Sequence, residues 1–180
     1  MSNVLIGIIG VILFIGLALA GALFLGPRFQ QSTANAKAAT IVQALQQIQS
    51  AENLYRTVEG KTIPSGNGGE ALLATLRSSS YLKARPINPF APNATDADIV
   101  YYGGNPGAAQ DGTPMVMSFT YLPDTTEAHD ACFAIERQMG NPNPAAIVDA
   151  FGTSFLDRYQ NARRPGCVKH SGGYLAFIYF

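Results

Sequence analysis

The first 26 residues, Met1 to Gly26, carry no charged side chain, and charge enters only at Arg28, directly after Pro27. At about 1.5 Å per residue, a run of this length makes a helix roughly 39 Å long, enough to cross a bilayer core. The apolar character does not stop at a loop. It passes into a helix-period stripe of Ala34, Ala38, Ile41, Leu45, Ile48 and Tyr55, set in a more polar sequence rich in Ala and Gln. Both are good helix formers. Residues 1–58 are therefore expected to form one long helix, softened between Gly16 and Pro27. There the glycines lower helix stability and Pro27 cannot donate to its own turn.

A cleavable secretory signal needs a cationic start and a shorter apolar core. Neither is present, so a retained membrane span is the expectation. Gly7, Gly10, Gly16, Gly21 and Gly26 suit such a span and would allow close helix approach. A span-bearing segment of roughly 30 residues leaves about 150 for one globular domain, enough to bury a core unaided. The 12 basic residues balance the 12 acidic ones, so no basic surplus steers the chain to nucleic acid. The distribution is uneven, because no Asp or Glu precedes Glu52 while Arg28 and Lys37 follow the apolar run as a small positive cluster expected at one membrane edge.

Beyond the first helix, Gly60 and Pro64 act as stops. Ser65-Gly66-Asn67-Gly68-Gly69 reads as a turn-rich loop. Glu70 to Tyr81 reads as a short second helix, on the strength of Leu72, Leu73, Leu76 and Leu82. Gly and Pro punctuate residues 85–114, with Ile99 to Tyr102 the one strand candidate there. Met115 to Leu122 alternates with period two and is predicted to be a strand. Thr125 to Met139 reads as a helix starting at Thr125 or Thr126 and stopped by Gly140. Pro144 to Tyr159 is a weaker helix pattern. Gly173 to Phe180 is a continuous apolar run that predicts a buried central strand. The fold class expected is α+β, with a long N-terminal hydrophobic and then amphipathic helix packed on an antiparallel sheet. The domain organisation expected is a span at 1–27, an amphipathic helix half at 28–58 and a globular head at 59–180.

Few residues suggest chemistry. Cys132 and Cys167 are an even pair in a domain placed outside the cytoplasm, and they predict a disulfide. Closing about 36 residues, it would contribute roughly 3–4 kcal/mol in the chain-entropy picture. His129-x-x-Cys132 and Cys167-x-x-His170 offer a second reading, a tetrahedral zinc set. A Cys–His nucleophile pair is available from the same residues, but no nucleophile turn surrounds it. Asp96, Asp98, Asp124, Glu127 and Asp130 fit loop and helix-cap roles. Gly103-Gly104-Asn105-Pro106-Gly107 lacks the lysine of a phosphate loop. Arg163-Arg164-Pro165 with Lys169 reads as a solvated basic patch. No enzyme activity, cofactor or metal is expected.

The order of these parts resembles type IV pilins. An apolar helix interrupted by Gly and Pro leads into an Ala/Gln-rich amphipathic helix and a glycine-rich connection. Cys132 and Cys167 match the late cysteine pair of those proteins. Lys37-Ala38-Ala39 through Gln49, with Tyr55-Arg56 and Gly60, is similar to the first helix of the larger type IVb subgroup. So are Asn88-Pro89-Phe90, the strand closing the chain just after Cys167, and Met1 as the first residue of the mature protein. One departure stands out: Val4-Leu5-Ile6 occupies the place where the family carries a glutamate that meets a neighbour's N-terminal amine. The resemblance implies a structural subunit held in the bacterial inner membrane, trimmed by a prepilin peptidase and methylated at Met1. Pilus assembly machinery would then build it into an extracellular homo-oligomeric filament serving adhesion, conjugation or motility. Met1, Leu5, Gly7, Gly10, Gly16 and Pro27 are the assembly residues this implies. Two alternatives stand beside it: a minor or tip pilin, and a membrane-anchored periplasmic binding module that does not polymerise.

Overall fold

A computed structural model describes residues 2–61, 63, 68–91, 99–103, 116–148, 165–170 and 172–179. The chain divides into two compact units, Met1–Thr33 and Ala34–Phe180. Helix α1 spans Ser2–Glu59 and runs unbroken between Gly16 and Pro27. Thr33, Thr40 and Thr57 each donate a hydroxyl to the carbonyl four residues back, which satisfies them without leaving the helix.

In the C-terminal unit, spacing decides which face of α1 is covered. Ala34, Ala38, Ile41, Leu45, Ile48 and Ala51 are buried, joined by Val42. Two apolar clusters share this face. One joins Ala38, Ile41, Val42 and Leu45 to the sheet and to α3 (Thr126–Gln138). The other joins Ile48 and Ala51 to Ile63, Leu82 and the leucines of α2 (Gly68–Ser78).

Among the described residues the sheet has four antiparallel strands: β1 (Ile99–Gly103), β2 (Val116–Pro123), β3 (Gly166–His170) and β4 (Gly173–Tyr179). Their order is β1-β2-β4-β3. The predicted central strand is thus β4, and it is buried on both faces: Tyr174, Ala176 and Ile178 on one, Leu175 and Phe177 on the other. Cross-strand partners share a face. Thr120, Ala176 and Cys167 form one such row and Leu122, Tyr174 and Lys169 the next. Except for Thr120 and Lys169, all of these residues belong to the cluster containing α1 and α3. On β2, Thr120 and Leu122 are therefore buried while Tyr121 between them is exposed.

Helix α3 begins and ends as its sequence predicts. Thr125, in an extended conformation, accepts from the Ala128 amide, 3.2 Å away. At the other end Gly140 adopts φ 78°, and the amides of Gly140 and Asn141 return to the carbonyls of Arg137 and Glu136. This pair of bonds is a Schellman closure, which needs a left-handed residue at Gly140. Thr125→Ala is expected to cost about 1 kcal/mol of stability, read as a lowered thermal midpoint of the full chain in detergent. Gly173 answers to a different constraint, since a Cβ there would collide with the carbonyl oxygen of Leu122.

The sequence does not announce strand β3. Gly166-Cys167-Val168-Lys169-His170 has no apolar alternation, and it is a strand because β4 gives it a ladder. Its other side is held by Glu136 of α3, which accepts from the Cys167 amide at 2.7 Å and from Asn141 Nδ2 at 2.7 Å. A buried carboxylate thereby covers part of an edge strand. The weak helix expected from Pro144 appears as α4 (Ala145–Val148), and residues 149–159 of that expectation lie outside the described residues.

Candidate functional site

The N-terminal unit presents bare apolar helix. From Val4 to Phe29, fifteen large hydrophobic side chains are 49–78% exposed, among them Leu5. At Gly7, Gly10 and Gly16 a Cβ would meet nothing within 4 Å. Pro27 lies within α1, and Met1 lies outside the described residues. Mean hydropathy peaks at 2.8 in this helix, which is long and apolar enough to cross a membrane. Arg28 places its guanidinium 5.9 Å from the Phe24 ring centre.

In the C-terminal unit, Cys132 and Cys167 form a disulfide with a Cα–Cα distance of 5.3 Å. Both are fully buried. It links α3 to β3 beside Ala176, whose small side chain lies opposite Cys167 in the ladder. The zinc reading fails on geometry as well as on the bond. Residues three apart on a strand point to opposite faces, so His170 cannot join Cys167. His170 instead lies 6.2 Å from the ring of Tyr121. His129 lies beside Asp130 and edge-on to Tyr174. No group of three potential metal ligands occurs among the described residues.

Lys37, read from sequence as part of a positive cluster, is engaged within the unit. Its ammonium sits 2.8 Å from Glu127 in the first turn of α3 and 4.5 Å from the Phe90 ring centre. Phe90 is held there by Asn88. The buried Asn88 amide donates to Thr120 Oγ1 and to the Tyr121 carbonyl, while its carbonyl oxygen accepts from the Phe90 amide. Asn88-Pro89-Phe90 therefore straps β2 to Lys37 of α1. Of the remaining candidates, Lys169 approaches the Tyr174 ring at 6.0 Å. Asp96, Asp98, residues 104–107, Arg163 and Arg164 lie outside the described residues.

Two features escaped the sequence reading. Glu52 is fully buried, and neither of its carboxylate oxygens has a hydrogen-bond partner among the described residues. Burial pushes its acid up from the ordinary 4.5 to about 7, against a partial pull downward from Arg56. The second is a groove of about 620 Å³ lined by Gln43, Gln46, Gln47, Ser50, Tyr81 and Lys83 among others. The Tyr81 ring packs edge-on to Tyr55, and its hydroxyl donates to Glu59 at 2.9 Å. That bond to a carboxylate holds the Tyr81 phenol above its usual range. A repeated Gln pattern on the exposed side of α1 was the available signal for the groove. For Glu52 the signal was its position in the helix period.

No family model, curated protein or solved structure matches this chain. The class defined by the fold alone is an α+β protein carrying one long N-terminal apolar helix, a four-stranded antiparallel sheet and one disulfide.

Proposed function

We propose that this chain is the structural subunit of a type IVb-like pilus. In this reading it waits in the bacterial inner membrane, is trimmed by a prepilin peptidase, and is drawn into an extracellular filament whose core is built from the Met1–Gly26 segments of many copies. The observation that carries the reading is the apolar surface from Val4 to Phe29, exposed around the helix without a single charge before Arg28. Apolar surface on this scale needs a permanent cover. A bilayer and a bundle of like helices both supply one, so transfer between them keeps the segment out of water throughout. A charged side chain would make both homes costly, and there is none. The Ala34–Phe180 unit adds what a secreted subunit needs, a disulfide-stapled α+β fold.

Negative-stain microscopy of sheared cell-surface material, with mass spectrometry of the N-terminus, tests this reading. Filaments containing the chain with a methylated Met1 are the expected result. Its recovery from the membrane fraction alone would overturn it. Recovery only alongside a subunit that bears an acid near its N-terminus would replace the major-subunit reading with the minor or tip pilin.

The Gln-lined groove favours a second reading, a membrane-anchored periplasmic binding module. The two separate on one substitution: exchanging residues 4–26 for an unrelated span of equal hydropathy. An anchored module tolerates the exchange, whereas a filament subunit stops assembling.

A further inference from the structure

The covered stripe of α1 advances by four and three residues in turn: Ala34, Ala38, Ile41, Leu45, Ile48, Glu52, Tyr55. Glu52 thus stands at a core position of the helix, with Ile48 one turn before it and Tyr55 one turn after. Both neighbours belong to the cluster that α1 forms with Ile63, Leu82 and the α2 leucines. Another buried acid of this unit, Glu136, accepts two hydrogen bonds. Glu52 accepts none from the described residues. An ionised carboxylate in such a place is costly, and the proton-bearing form is favoured.

We propose that Glu52 is a pH-responsive joint between α1 and α2: protonated, it lets the two helices close over it, and on releasing its proton to water its carboxylate draws solvent in and loosens the α2 side of the cluster. The charged groups nearby leave this role open. On α1, Arg56 is exposed and Glu59 accepts from Tyr81. Lys61 follows α1 and is exposed. On α2, Glu70 stands in the first turns, and Arg77 directs its Nε to the Leu73 carbonyl. After α2 come Lys83, exposed, and Arg85, half-buried. No described group among them hydrogen-bonds either Glu52 oxygen.

Burial is the main influence on this acid and Arg56 the lesser, opposing one, which leaves it near pH 7 in the folded chain against 4.5 ordinarily. The folded state therefore keeps a proton that the opened state has lost. Closure is complete below about pH 4.5, weakens as pH rises toward about 7, and levels off above that. At tenfold per pH unit, the closed-to-open ratio should fall about 300-fold across this window, of which about 100-fold lies above pH 5.

Hydrogen exchange of the full chain in nonionic detergent tests the joint, with peptides covering residues 45–58 and 70–82 followed at pH 5 and pH 8. After correction for intrinsic exchange, opening of these peptides in the wild type should rise about 100-fold, while a peptide from α3 should not follow. Glu52→Gln should flatten the rise. Glu52→Met removes the polar group altogether, guards against a variant destabilised by its buried amide, and should be better protected than wild type at pH 8. An equal rise in the wild type and both variants, or no rise in the wild type, overturns the proposal. The outcome does not depend on whether the chain polymerises.

Discussion

Replacing Cys132 and Cys167 together by alanine is expected to lower the stability of the Ala34–Phe180 unit by about 3–4 kcal/mol, and its thermal midpoint by about 10 °C. The size follows from the loop. The bridge joins residues 35 apart, and in the opened chain it removes the freedom of that whole loop. Its position adds to the effect. Cys167 sits on an edge strand of only five residues, held on one side by β4 and on the other by Glu136. Without the bridge, α3 and β3 are joined chiefly by that carboxylate and by contacts within the apolar cluster. Alanine is the suitable replacement because both positions are fully buried and a serine hydroxyl would need a partner. The check is thermal unfolding of the oxidised wild type and the double variant, as full chains in the same detergent. A shift of less than about 2 °C would show that the loop is already constrained without its bridge.

How far the sequence reveals this fold depends on whether local or distant residues decide each element. The covered face of α1 was legible because it is a property of spacing alone, and the ends of α3 were legible because Thr125 and Gly140 act within a few residues of themselves. The disulfide was legible from cysteine number and the expected compartment. Strand β3 was not, since Gly166 to His170 owes its conformation to β4 and to Glu136, 30 or so residues away. Period two announced β2, but not which row would face α1. That choice was settled by Asn88, whose amide gives buried Thr120 the partner its hydroxyl needs. Glu52 is the instructive miss. Its place in the four–three rhythm put it in the core, while its chemistry argued for the surface, and position prevailed. Lys37 shows a charge whose partners could not be read locally, since Glu127 and Phe90 lie far along the chain. The apolar helix surface was the most legible feature of all, because hydropathy needs no partner to be read.

If the chain assembles as proposed above, leucine at Gly7 or Gly10 is expected to reduce filament assembly severely while leaving membrane insertion and the fold of the Ala34–Phe180 unit unchanged. Two observations combine here. The apolar segment holds no acid, so no carboxylate within it can neutralise the N-terminal amine of a neighbouring copy. A charged amine buried there would need solvation, methylation, or a polar atom such as those of Ser2, Asn3 or a backbone carbonyl. Registry between copies must then come from how the helices fit together, and glycines are where two helices approach closest. Within a single chain these positions are open, since a Cβ at Gly7 or Gly10 would meet nothing within 4 Å. A larger side chain therefore costs the isolated subunit nothing in packing, and leucine favours both helix and bilayer. Any loss must arise between copies. Filament yield from sheared cells, set against the amount of subunit in the membrane fraction, measures it directly. Gly7→Ala and Gly10→Ala should fall between wild type and the leucine variants, because a methyl group obstructs a close helix approach less than an isobutyl group does. Normal filaments from both leucine variants would mean that the C-terminal units alone set the register.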